Sequence, residues 1–110
     1  MELKDKFVKE VLKIKGSHTF KTSRAELLGF WFDGIEGEAL ALLLQNDGIK
    51  ASTESPCLKE YTPATGLSHE QAHSSLTIAW SHRFKESDVK KMISAIKKHL
   101  KKLRAMSATW

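Results

Sequence analysis

Hydrophobic residues open the chain at Leu3, Phe7, Val11 and Ile14, spaced by three and four, with lysines and acids between them. That period marks one face of an amphipathic helix over residues 2–15. Glu2 with Lys6 and Asp5 with Lys9 place an acid one turn ahead of a base, a weakly stabilising order, and Gly16 is a stop signal. Residues 17–22 read as a short strand. Residues 26–33 are a stronger one, because Leu27, Leu28, Phe30, Trp31 and Phe32 are bulky and rich in aromatics. Their near-continuous apolar run predicts burial on both faces, with Trp31 largely buried. Asp33-Gly34 then turns the chain.

A second helix is predicted over 36–46, with Leu40, Leu43 and Leu44 on one face, early acids Glu36 and Glu38, and a stop at Gly48. Residues 49–52 form a short strand. Residues 53–70 are mostly loop, punctuated by Pro56, Pro63 and Gly66, with a helical turn near 68–73. Leu76, Ile78 and Trp80 alternate with Thr77 and Ala79, the period of a strand over 75–81, with Trp80 also largely buried. The last helix covers 86–107. Val89, Met92, Ile93, Ile96, Leu100 and Leu103 make its buried stripe, and Lys90, Lys91, Lys97, Lys98, Lys101 and Lys102 face water. The order α-β-β-α-β-β-α gives an α/β fold, an α+β two-layer sandwich with helices against one sheet.

Composition adds bounds. A chain of 110 residues has the size of one domain, residues 1–110, with a single modest core. No apolar run reaches the roughly 18 residues that span a bilayer. The start, Met1-Glu2-Leu3-Lys4-Asp5, lacks a signal-peptide layout, so a cytoplasmic location is expected. One cysteine makes no internal disulfide, in keeping with a reducing compartment. The net charge of +5 and a pI near 9.4 raise nucleic acid as a partner. Most lysines, however, interleave with apolar positions in the terminal helices, as on a solvated face, and no zinc-finger or aromatic RNA-binding motif accompanies them. Nucleic acid is therefore disfavoured.

Four stretches carry chemistry. Phe32-Asp33-Gly34-Ile35-Glu36-Gly37-Glu38-Ala39-Leu40 enters the second helix. Ile49-Lys50-Ala51-Ser52-Thr53-Glu54-Ser55-Pro56-Cys57 ends on the only cysteine. Gln71-Ala72-His73-Ser74-Ser75-Leu76 enters the last strand, and Leu103-Arg104-Ala105-Met106-Ser107-Ala108-Thr109-Trp110 closes the chain. Together they resemble the C-terminal small domain of the NifS/IscS-type cysteine desulfurases, pyridoxal-phosphate enzymes of the class V aminotransferase family and fold type I. The match is stronger over 27–110 than over 1–26. The resemblance implies a role in sulfur transfer and iron–sulfur cluster assembly, and it implies that Cys57 takes up sulfur as a persulfide.

On the residues alone, Cys57 is either a small buried hydrophobe or an exposed thiol. Its polar, proline-bounded setting favours exposure. Lys50 and Lys59 favour the thiolate and Glu54 opposes it. Glu54 stands where the family has glycine, and Pro56 where it has alanine, which stiffens the loop. In the family strand an arginine binds the substrate carboxylate, and Thr77 stands in that place. Threonine gives no bidentate, charge-assisted pair. Arg83, six residues on, is at the far end of the strand.

His69 and His73 stand four apart, and a metal would need Cys57 or His82 as a third ligand. No recognised zinc spacing results, so no metal site is expected. The resemblance places the Schiff-base lysine and most phosphate contacts in a large domain that this sequence does not match. No pyridoxal phosphate is expected in this chain.

Three functions follow as expectations. The first is a cysteine-desulfurase-like domain, non-catalytic by itself, that relays persulfide through Cys57 or serves as a scaffold. The second is part of a split or degenerate desulfurase whose large domain is elsewhere. The third is a basic nucleic-acid-binding protein. The implied partners are a desulfurase large domain or a sulfur-acceptor protein, with a homodimer also open and no membrane partner.

Overall fold

A computed structural model describes residues 2–22, 24–53 and 67–107. The segment that carries Cys57 lies outside the described residues. The elements in chain order are α1 (Leu3–Leu12), β1 (Ser17–Phe20), β2 (Leu27–Phe32), α2 (Gly37–Asn46), β3 (Ala51–Ser52), α3 (His69–His73), β4 (Ser75–Ala79) and α4 (Glu86–Ala105). The strands make one antiparallel sheet in the order β1-β2-β4-β3. The predicted α/β two-layer architecture is present, with the turn expected near 68–73 formed as α3 between β3 and β4.

Period-two alternation divides the sheet. Phe30 and Phe32 of β2 and Leu76 and Ile78 of β4 point into the core, where α1 contributes Phe7 and Val11. Helix α2 adds Leu40, Ala41 and Leu44, and α4 adds Val89, Met92, Ile93, Ile96 and Leu100. The helices therefore cover one face. Phe7 meets Phe30 edge-on at 5.9 Å between ring centroids. Trp80 lies against Phe7 at 5.7 Å and Phe84 at 5.0 Å.

Strand β2 departs from the sequence expectation. Its apolar run is not buried on both faces. Leu27 and Trp31 lie on the other side of the sheet and are half-buried, and Trp80 is half-buried as well. For Leu27 and Trp31 the physical reason is antiparallel pairing, which leaves one face of the sheet without helices among the described residues; Trp80 packs on the helix side, against Phe7 and Phe84, at the edge of the core.

Close approaches and polar clamps fix the layers. A Cβ on Gly37 would stand 1.8 Å from the Ser75 carbonyl oxygen, so only glycine lets α2 start against β4. Gly48, at φ 81°, ends α2: its N–H bonds to Gln45 O at 2.9 Å and the Ile49 N–H to Leu44 O at 3.0 Å, a Schellman pattern. The buried Arg104 guanidinium donates to the carbonyls of Lys15 (2.8 Å), Gly16 (3.3 Å) and Asp33 (3.1 Å). It thereby ties α4 to the turn before β1 and the turn after β2. Burial lowers its pKa, and Asp33 opposes that shift. His99, also buried, sets Nε2 2.7 Å from Asp47 Oδ2 and joins α4 to the end of α2. Among the described residues, no helix is long and apolar enough to cross a membrane.

Candidate functional site on the open sheet face

The face that carries no helix among the described residues is built by register. Thr77 pairs with Gly29 on one side and Ser52 on the other, Ser75 pairs with Trp31, and His18 and Phe20 of β1 sit beside Trp31 and Gly29. Alternation puts all of these on the face that the core residues leave free.

Thr77 stands at its centre and is 4% exposed. Its Oγ1 lies 3.1 Å from Ser52 Oγ and 3.3 Å from the Ser52 carbonyl oxygen. When Thr77 donates to the carbonyl, Ser52 donates to Thr77 and both hydroxyl protons are used. Ser75 donates to Ala72 O at 2.6 Å. The centre of the face is thus a set of neutral, mutually satisfied hydroxyls. Its register positions carry no lysine or arginine to meet a carboxylate.

An aromatic rim flanks this centre. The His18 ring stacks on Trp31, with centroids 4.6 Å apart and planes 18° apart. His18 Nε2 lies 2.9 Å from Asp33 Oδ2, which orients the imidazole. The Phe20 ring covers Gly29, where an added Cβ would approach it to 2.6 Å. The rim offers flat, half-buried rings with one polar edge.

The other sequence candidates fall elsewhere. Cys57 lies outside the described residues, five positions beyond Ser52 in sequence. Arg83 is exposed beyond the end of β4, where its backbone N–H donates to Ser81 Oγ at 3.1 Å, so it does not share Thr77's position. A reciprocal capping box starts α3: the Gln71 N–H bonds to Ser68 Oγ at 3.1 Å and the Ser68 N–H to Gln71 Oε1 at 3.0 Å. That cap positions β4. His69 opens α3 and His73 closes it just before β4, whereas His82 lies past the strand's other end, so His73 and His82 do not converge.

The Ser52–Thr77 pair was not foreseen in the sequence, because the partners are 25 residues apart. The His18–Trp31–Asp33 cluster was missed as well, its only local sign being a polar residue in a strand opposite an aromatic one.

No family model matches the sequence. The cysteine desulfurase IscS of Methanosarcina thermophila is 34% identical over 116 aligned residues, covering 97% of this chain and 29% of that protein. IscS 1 of Archaeoglobus fulgidus is 33% identical over 114 residues, covering 96% of this chain and 30% of that protein. Among solved structures, a NifS-like protein superposes with a TM-score of 0.74 at 24% identity, over 90% of this chain and 26% of that one. A NifS-like protein from Rickettsia africae gives 0.73 at 19% identity, over 90% and 27% of the two chains. These two superpositions speak for the fold. The chain spans less than a third of the length of the curated relatives it matches. It belongs with the NifS/IscS cysteine desulfurases, as a counterpart of their C-terminal small domain.

Proposed function

We propose that this chain is a cysteine-desulfurase-related domain that does not turn over cysteine by itself and acts in sulfur metabolism as a persulfide relay or scaffold. The observation that carries the reading is Thr77, a buried neutral side chain already engaged by Ser52 where the resembling family has its carboxylate-binding arginine. A free amino-acid substrate has no charged anchor at this position. A sulfur already activated on another protein needs none.

The relay step balances without an added oxidant. The Cys57 thiolate attacks the outer sulfur of a donor persulfide, the donor's S–S bond breaks, and the donor leaves as a thiolate. A second thiolate, on an acceptor protein, repeats the exchange and frees Cys57. The pairing of Ser52 with Thr77 fixes the chain just ahead of the Cys57 segment. Donor and acceptor then approach a fixed root.

Pyridoxal phosphate, where bound, supplies an electron sink and is held through a lysine Schiff base with a carboxylate on its pyridine nitrogen. The sheet face around Thr77 carries hydroxyls, aromatic rings and one histidine but no lysine at its register positions. These residues do not fit the cofactor, and no step is assigned through it. The partners of this reading are a desulfurase large domain or a sulfur-acceptor protein, in the cytoplasm.

A second reading, one part of a split or degenerate desulfurase, draws on the greater length of the relatives. Alkylation and turnover separate the two. The relay requires Cys57 of the folded protein to react with iodoacetamide at the rate of an ordinary exposed thiol. Reaction only after denaturant would reject it. Cysteine turnover on adding a desulfurase large domain in trans, with Thr77 intact, would favour the split enzyme.

A further inference from the structure

The positive charge of this chain is segregated. Residues 89–110 hold seven of the eighteen lysines and arginines and none of the thirteen acids, so the remainder is net acidic. Arg104 is turned inward on its carbonyl clamp. The other six, Lys90, Lys91, Lys97, Lys98, Lys101 and Lys102, are all exposed, and no ion pair among the described residues holds any of them.

Helical geometry arranges the six. The buried stripe of α4 faces the core, and on the opposite ridge Lys90, Lys97 and Lys101 form one row and Lys91, Lys98 and Lys102 a second. Both rows repeat by seven and then four residues, and each is about 16 Å long. Exposed Ser87 and Ser94 lie between the rows, where a backbone can come close. A solvated helix face ordinarily mixes the two signs of charge; here the acids Glu86 and Asp88 are confined to the first turn, and from Lys90 onward the ridge carries one sign only.

We propose that the outer ridge of α4 is a docking surface for an acidic helical segment of a protein partner, whose carboxylates repeat in two rows at the same spacing. The lysines alone would also attract nucleic acid. Yet the ridge has no arginine fork for phosphate, no aromatic ring for stacking and no side-chain amide for reading bases. Two parallel rows with a small-residue seam match a helix laid alongside, with charge complementarity setting register and association rate. The proposal is independent of Cys57.

The test uses the whole chain and a synthetic helical peptide bearing glutamates in two rows at the seven-and-four spacing. A peptide of the same composition with dispersed glutamates, and a DNA duplex and a single-stranded RNA of equal charge, serve as comparisons. The rowed peptide should bind more tightly than all three and weaken as salt rises. Replacing Lys97, Lys101 and Lys102 by Gln should lower its affinity by about tenfold or more. Replacing Lys9, Lys21 and Lys50 by Gln removes the same net charge elsewhere and should change affinity by less than about threefold. Near-ultraviolet dichroism checks that both variants are folded. Tighter binding to duplex or RNA, equal binding of the two peptides, or equal losses in the two variants would overturn the proposal.

Discussion

Thr77 and Ser52 bring their hydroxyl oxygens to 3.1 Å across β4 and β3, at the centre of the sheet face that, among the described residues, no helix covers. The contact joins Thr77, where the resemblance implies an arginine, to β3, which ends five positions before Cys57 in sequence. It is a neutral pair, complete in itself, and it sets the first expectation. Thr77→Val keeps the shape but removes one partner, leaving the Ser52 hydroxyl to find another. The loss should be about 1 kcal/mol in urea denaturation. An unchanged midpoint would mean that the pair contributes nothing to holding β3.

Gly37 should tolerate no side chain. A Cβ there would overlap the Ser75 backbone, which cannot swing aside as a side chain can. Gly37→Ala is therefore expected to cost about 3 kcal/mol or more, at the upper end of overpacking effects. Gly29→Ala meets only the Phe20 ring, which can rotate away, and should cost less. Thermal midpoints of the two variants, measured side by side, check the order.

Arg104 should resist even conservative exchange. Its fork reaches three carbonyls on two turns, a geometry that a lysine ammonium does not reproduce. Arg104→Lys should lose about 2 kcal/mol, and Arg104→Met more, because the buried carbonyls lose a charged donor. Urea titration of the three proteins gives the comparison.

Acid should weaken the link between α2 and α4. The Asp47 carboxyl is held below its ordinary value, 3.8, chiefly by the hydrogen bond from His99, with the charges of His99, Lys98 and Lys91 adding to it and desolvation opposing. A group whose folded pKa is depressed stabilises the fold fully above its unfolded value and loses that contribution as pH falls through the folded value. The stability difference between the wild type and Asp47→Asn should therefore shrink as pH falls below 3.8. Glu10 and Glu26 are also depressed, by Lys13 and by a backbone hydrogen bond with help from Arg24, so the difference curve rather than the raw acid limb carries the test. A difference that grows toward acid would contradict the sign.

Much of this arrangement was legible in the sequence, because local periodicity carries it. The spacing of Phe7 and Val11 and the stripe from Val89 to Leu100 gave the faces of α1 and α4 directly. The β2 segment misled for a physical reason. Bulky residues on alternate positions look the same whether the second face meets a helix or a neighbouring strand's side chain, and Trp31 met His18. The buried polar residues of α4 had a readable sign: His99 lies three positions after Ile96 and Arg104 four after Leu100, both in core register. Their partners, Asp47 and three backbone carbonyls, are far away in sequence, so the register alone did not say what they do. The Ser52–Thr77 pair depends on strand order, which no local pattern supplies.

Cys57 is proposed to accept sulfur without this chain catalysing its release from cysteine. Incubating the purified chain with an active cysteine desulfurase and cysteine, then measuring the intact mass, tests it most directly. The expected result is a gain of one sulfur atom, removable by a thiol reductant, absent without the desulfurase and absent in Cys57→Ser. An unchanged mass with the desulfurase turning over, or the same gain in Cys57→Ser, would contradict it.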